Sequence, residues 1–575
     1  MGVSAATARL AHARVVNVFT NELVDGEVLL AGRLIAAVLT RVPGGYPEAE
    51  QVHDLGGALL RPGYIDGHVH LESSLVTPAQ YARCLLPRGV TGVVCDPHEL
   101  ANVAGEEGVR WLVDASARLP FDVWVTVPSC VPSSPFETIG GEFGPAAMER
   151  LMEDPRVVGV AELMSFSDVI AGDEEVLGKA FLGEARGLRV EGHAPSLLGA
   201  GLQAYLASGV ASDHESTTLE EGREKLRAGA FLMIREGSVT RDLDALMPLV
   251  DPRHGDRVGF VTDDRLPHDL LLEGGVDLLV QRAVKAGADP AYAARCASYN
   301  VANHFGLPRR GAVAAGYFAD LAVCQDLTAT PELVFKDGVL VARDGVPLEG
   351  APGGARWGAG EAVPAALLRS VRPARLSEES FRLSAPAGEA RVIRAIPNQI
   401  LTRSELALPT VEEGLVVADP ARDLLKLACV ERHGKGGGVG VGLVSGFGMG
   451  RGALASSVGH DHHNLMCVGA TDADMLGACS RLRDLGGGLV AFEGGAVLAE
   501  LPLPIGGLLT DLSLEETRDL LDDLDAAARA LGCELPSPYM ALSFLGLAVI
   551  PELRLTDLGL VDVTARRLVP FSAGA

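Results

Sequence analysis

Between residues 60 and 262 the chain repeats one pattern: a short, nearly unbroken apolar run, then a stretch with apolar residues at helical spacing. The apolar runs fall at 63–66, 89–95, 121–127, 157–162, 188–191, 209–212, 230–234 and 257–262. Short runs rich in Val and bounded by Gly, Pro or charged residues predict strands buried on both faces. The segments between them, such as 106–117, 197–207 and 218–228, carry the period of amphipathic helices. Eight strand–helix units over about 245 residues match the size of a closed (β/α)8 barrel. An open doubly wound sheet would show the same alternation. The count of eight favours the barrel.

The flanks follow a different rhythm. Residues 14–40 alternate short Val, Leu and Ile runs with turn residues, which predicts a small β-sheet. Residues 311–346 return to short strands and are expected to complete that sheet. A Gly-, Pro- and Ala-rich stretch at 350–366 reads as a linker. Beyond it, apolar runs at 424–430, 439–444, 465–468 and 488–492 and an acidic helical stretch at 513–531 predict a separate α/β region. The expected fold class is therefore α/β. A TIM-like barrel at 60–305 is joined by a composite β-domain from 1–59 and 306–365, and by a C-terminal α/β domain at 366–575.

Composition narrows the function classes. Lys and Arg total 49 against 75 Asp and Glu, a formal charge of −26, which argues against a nucleic-acid polymer as partner. An apolar content of 48% describes a folded globular chain. Nine dispersed cysteines without a C-x-x-C pair read as reduced thiols. The first residues lack a basic-then-apolar leader, and no apolar run reaches the roughly 18 residues of a spanning helix. No membrane association and a cytoplasmic location are the expectation.

The candidate chemistry sits where the predicted strands end. The first strand closes in Ile65-Asp-Gly-His68-Val-His70, and residues two apart in a strand face one side. Glu162 ends the fourth strand, His193 the fifth, and Asp263 the eighth, while His214 follows the sixth. In a barrel of this type catalytic groups gather at the C-terminal strand ends. Four histidines and two carboxylates at one mouth suffice for two divalent metals. His98 follows the second strand and can bind metal, touch substrate or cap its helix. His460, His462 and His463 lie outside the barrel, where a His-rich turn is by default solvated. The glycine-rich run at 434–452 fits neither G-x-G-x-x-G nor a P-loop.

These residues resemble the metal-dependent amidohydrolase superfamily. The likeness runs from Asp54-Leu-Gly-Gly through the Pro-Gly-x-Ile-Asp-x-His-x-His segment to Gly316–Leu321. Many members place a carboxylated lysine, bridging the metals, where this chain has Glu162; none of its six lysines ends a predicted strand. A glutamate there, the Asp-Pro-His-Glu run at 96–99, a long C-terminal region and His460-Asp-His-His-Asn464 together look like the adenine deaminase family.

That resemblance implies His68, His70, His193 and His214 as imidazole ligands, Glu162 as the bridge and Asp263 as the last ligand. It favours manganese or iron as the two divalent ions, with zinc compatible. It further implies adenine and water as substrates, and Asp263 as the group that moves the proton. Glu215 is the candidate second acid; its alternative is a partner that orients a ligand imidazole. Asp264, next to Asp263, is expected to face away from the mouth. His98 joins the catalytic candidates, and His460 and His463 become contributors. A homodimer or higher homo-oligomer is expected. Two rivals remain: another cyclic amide or amidine hydrolase of the superfamily, and a barrel retained as a non-catalytic scaffold.

Overall fold

A computed structural model describes residues 5–40, 47–350, 362–397 and 399–574; most of the linker expected at 350–366 lies outside them. Eight parallel strands form the central barrel: Tyr64–Val69, Val90–Cys95, Asp122–Val127, Val157–Leu163, Arg189–Gly192, Ser212–Asp213, Phe231–Arg235 and Val258–Val261. The first five pair in order, as do the last three. A parallel bridge from Val190 to Val210 joins the two groups, and another from Val69 to Asp263 closes the ring. Asp66 secures the closure from inside, accepting from Thr262 N at 3.1 Å and Thr262 Oγ1 at 2.7 Å. The barrel, not the open sheet, is the fold.

The helix after the second strand spans His98–Ser116, well ahead of the expected start at 106. Its first turns, His98 to Val103, are buried on every side, so they carry no amphipathic pattern to read. Gly105 interrupts the helix at φ 60°, and a Cβ there would meet the Glu142 carbonyl oxygen at 3.0 Å.

A nine-stranded sheet joins the two ends of the barrel segment, because Leu321–Cys324 pairs antiparallel with Leu59–Pro62. It is tied to the barrel by charge. Buried Lys336 donates to Asp122 Oδ2 at 2.8 Å and to Asp320 Oδ1 at 2.9 Å, and Arg310 pairs with Asp320 as well. Removing one member of a buried ionic group strands the others, at about 3–5 kcal/mol. Lys336→Met is therefore expected to destabilise the chain by about that amount. Urea unfolding followed by far-UV circular dichroism checks this; an unshifted transition would show the pairing to be dispensable.

The C-terminal region builds its own eight-stranded sheet. In its strand Leu425–Val430, Leu425, Leu427 and Cys429 enter one apolar core and Ala428 and Val430 the opposite one. Helix Leu514–Ala530 contributes Leu524 and Ala528 to the first core, and helix Asp472–Leu485 contributes Met475 and Leu482 to the second. The loop between strands Ala453–Ser456 and Leu465–Gly469, which carries His460 to Asn464, is thereby set over the barrel mouth.

Candidate active site

At the mouth the strand ends deliver their polar residues into one small cavity of about 70 Å³. The His68 and His70 rings meet at 3.2 Å between their Nε2 atoms, and Asp263 Oδ1 lies 3.7 and 3.1 Å from those nitrogens. Glu162 spans the other half. Its Oε2 accepts from His193 Nδ1 at 2.6 Å and lies 3.2 Å from His214 Nε2, while Oε1 is 3.6 Å from His70 Nε2. All six side chains predicted as ligands are thus brought together, and Glu162 faces both halves. The donor atoms of His68, His70 and Asp263 fall within 4.8 Å of one another, as do those of His68, Glu162 and His214.

This donor set fits divalent cations. Two imidazole nitrogens facing each other across 3.2 Å need a cation or a shared proton between them, and mixed nitrogen and carboxylate donors suit first-row metals. Lys179 is elsewhere: it sits in helix Glu174–Glu184 and donates from Nζ to the Ser129 carbonyl at 3.0 Å.

The electrostatics hold the carboxylates ionised. Burial disfavours charge on Glu162, but His193 and His214 outweigh it and keep its pKa well below the usual value. Burial likewise opposes charge on Asp263, and His70 and Arg235 overcome it. Arg235, which ends the seventh strand, donates to Asp263 Oδ2 at 2.9 Å and pairs closely with Glu215. Arg235 went unnoticed in the sequence, although a charged residue closing an apolar strand was the same signal that marked Glu162. Glu215 lies 3.5 Å from His214 Nε2 and 3.8 Å from His193 Nδ1. Against burial, Arg235 holds its carboxyl below the ordinary range.

One expectation is corrected. Asp264 does not face away; it is half-buried, lines the same cavity as Asp263, and accepts from Ser73 Oγ. The eighth strand ends at Val261, and Asp263 has φ 61°, so alternation of side chains no longer applies there. Asp264→Asn is accordingly expected to lower turnover rather than leave it untouched; steady-state kinetics with turnover equal to the parent would exclude a role.

His98 stands at the rim. Its Nδ1 is 3.2 Å from Asp96 Oδ2 and 3.9 Å from Glu162 Oε1, while Nε2 is 3.5 Å from Asp461 Oδ1. The His-rich turn is not solvated, since His460, His462 and His463 are all buried. His460 and His463 grip the two carboxylate oxygens of Glu99. His462 takes no part, its Nδ1 accepting from Asn464 N at 2.8 Å. The C-terminal body also supplies an apolar wall of Ile400, Phe544, Leu547 and Ile550, which carried no signal in the sequence.

Barrel and site together define an amidohydrolase-type protein, and the Amidohydrolase family model matches residues 59–341. The adenine deaminase C-terminal domain model matches residues 399–567. The chain is 44% identical over 576 residues to adenine deaminase 2 of Carboxydothermus hydrogenoformans, covering 100% of this chain and 98% of that protein. It is 43% identical to the adenine deaminase of Desulfatibacillum aliphaticivorans over 96% of this chain and 95% of that one. With that of Kosmotoga olearia it shares 39% identity over 98% and 96%. The chain belongs to the adenine deaminase family. Among the described residues no helix is long and apolar enough to cross a membrane.

Proposed function

We propose that this protein hydrolyses adenine to hypoxanthine and ammonia, using two divalent metal ions held by His68, His70, Glu162, His193, His214 and Asp263. The observation that carries the reading is the convergence of these six side chains, five of them buried and His193 half-buried, with Glu162 facing both halves of the set. When bound, the two ions would act as Lewis acids that make water acidic enough to ionise near neutral pH. Manganese or iron is the favoured pair, and zinc suits the same donors.

The chain's own groups do the rest. Asp263 is poised to take the proton of the attacking water and to return it to the leaving amine, a role that needs it ionised at the start. Arg235 keeps it so from one side, leaving Oδ1 toward His68 and His70. Glu215, paired with Arg235 beside His193 and His214, is better suited to orienting those rings than to donating a proton. His98 and Asp461 supply polar groups at the cavity edge, and Phe544, Leu547 and Ile550 an apolar wall for a flat ring. The cavity of about 70 Å³ is small beside ordinary ligand pockets.

The rival is hydrolysis of another cyclic amide or amidine on the same barrel. Ammonia release from adenine, and ring opening of a panel of cyclic amides followed by chromatography, are to be measured with Mn²⁺-reconstituted and chelator-treated protein. Adenine turnover that appears with Mn²⁺ and disappears on chelation is the expected result. Turnover of a cyclic amide with none of adenine would favour the rival.

A further inference from the structure

Behind the apolar wall of the cavity stands a buried cation that the proposed reaction leaves unused. Arg554, in the short strand Leu553–Thr556, is 0% exposed. Among the described residues no carboxylate is paired with it, and burial alone pushes its pKa down to about 9. A buried charge without a countercharge is costly; Arg235, by contrast, is matched by Glu215 and Asp263. What surrounds the Arg554 guanidinium is carbonyl oxygen. Nε donates to Ile550 O at 2.7 Å and Nη1 to Phe544 O at 2.7 Å. Nη2 donates to Ile400 O at 2.7 Å and to Pro551 O at 3.0 Å.

The choice of carbonyls is informative. Three of them belong to Ile400, Phe544 and Ile550, which with Leu547 make up the apolar wall. These residues come from segments far apart in the chain. Ile400 lies between strands Ala390–Ala395 and Thr402–Ala407, whereas Phe544 ends helix Pro538–Phe544 and Ile550 follows it. The last carbonyls of a helix lack intrahelical donors, so a cation placed there finds free acceptors. All three side chains are only half-buried. Packing on the cavity side cannot fix them, and their position is set through the backbone behind. A planar guanidinium, with donors in fixed directions, can hold several backbone groups in one arrangement; a lysine ammonium cannot.

Phe544 gives this arrangement its bearing on the site. Its ring stacks on His460, with centroids 4.8 Å apart and planes 12° apart. Together with Val239 it also lines an outer cavity of about 250 Å³. Phe544 thus stands between that outer cavity and the inner one, and a shift of its backbone would reshape the inner one.

We infer that Arg554 is a positioning residue, which sets the apolar wall of the active site by gripping the backbone of Ile400, Phe544 and Ile550. What lies against that wall, the adenine ring, rests on the function proposed above. Arg554 acts only through the wall, since its hydrogen bonds reach none of the six converging side chains.

Arg554→Lys keeps the charge and the apolar stem but replaces the fork by a single nitrogen. With the full Mn²⁺-reconstituted chain, KM for adenine is expected to rise about tenfold, the scale of a one-methylene misfit in an apolar pocket. Metal content and kcat should stay close to the parent's, as when binding common to ground and transition states is lost. A merely structural role would instead reduce the folded fraction, so that kcat per chain falls at unchanged KM; that result would overturn the inference. Hydrogen–deuterium exchange gives a readout that needs no substrate. The amides of Leu547 and Thr402 donate to Phe544 O and Pro551 O, two of the carbonyls that Arg554 holds. Peptides carrying them should be protected in the parent and exchange faster in Arg554→Lys, while the strand Val90–Cys95 keeps its rate. Unchanged exchange in the variant would also overturn the inference. If the parent turns over no adenine, the adenine reading fails and exchange still decides the role of Arg554. Should the variant fail to fold, the parent decides: exchange at Leu547 and Thr402 as fast as in an exposed loop would show that nothing holds the wall.

Discussion

Asp263→Asn is expected to lower kcat by about 10²–10⁴-fold while the protein folds and still holds metal, because a positioned proton carrier is worth that much. Asparagine preserves the shape and one oxygen facing His68 and His70, so the ligand contact weakens without vanishing. What it cannot do is accept a proton near neutral pH. Arg235 retains Glu215 as a partner, so the substitution does not strand a buried cation. Reading kcat and KM separately is the check. A loss confined to KM would mean that Asp263 only helps to bind substrate, and the proton would need another carrier.

Glu162→Gln should cost metal and activity together. The carboxylate accepts from His193 and reaches His214 and His70. An amide in its place offers one oxygen instead of two and turns an NH₂ toward imidazole nitrogens that must coordinate. Turnover is expected to fall at least about 100-fold, since even partners that merely orient metal ligands cost 10–100-fold when removed. At least one equivalent of metal should be lost as well, by mass spectrometry. A variant with full metal and parental turnover would remove Glu162 from the centre of the proposal.

Much of this arrangement was legible because parallel barrel strands are buried on both faces. Val90–Cys95, with every residue buried, reads as a plain apolar run, and so do its neighbours. A histidine or glutamate closing such a run stands out, which is how His68, Glu162 and His193 came to notice. Asp264 was misread because strand alternation was carried past the strand's end at Val261, through Asp263, whose backbone has turned left-handed. The first turns of the helix at His98 were missed for the opposite reason, burial on all sides having erased the period. Phe544, Leu547 and Ile550 could not have been found. They are ordinary apolar residues, and only folding brings them more than 270 residues back to Asp263.

The position of Lys179 has a consequence for how such a centre is assembled. In relatives that carry a modified lysine, the bridging group exists only after carbon dioxide has added to the amine. Here the lysine nitrogen is committed to the Ser129 carbonyl, and the carboxylate facing both halves of the cavity is written in the gene at position 162. Loading of metal into this protein should therefore be indifferent to dissolved bicarbonate. The chain is expected to mature as readily in gas-stripped buffer as in a carbon-dioxide-rich cell.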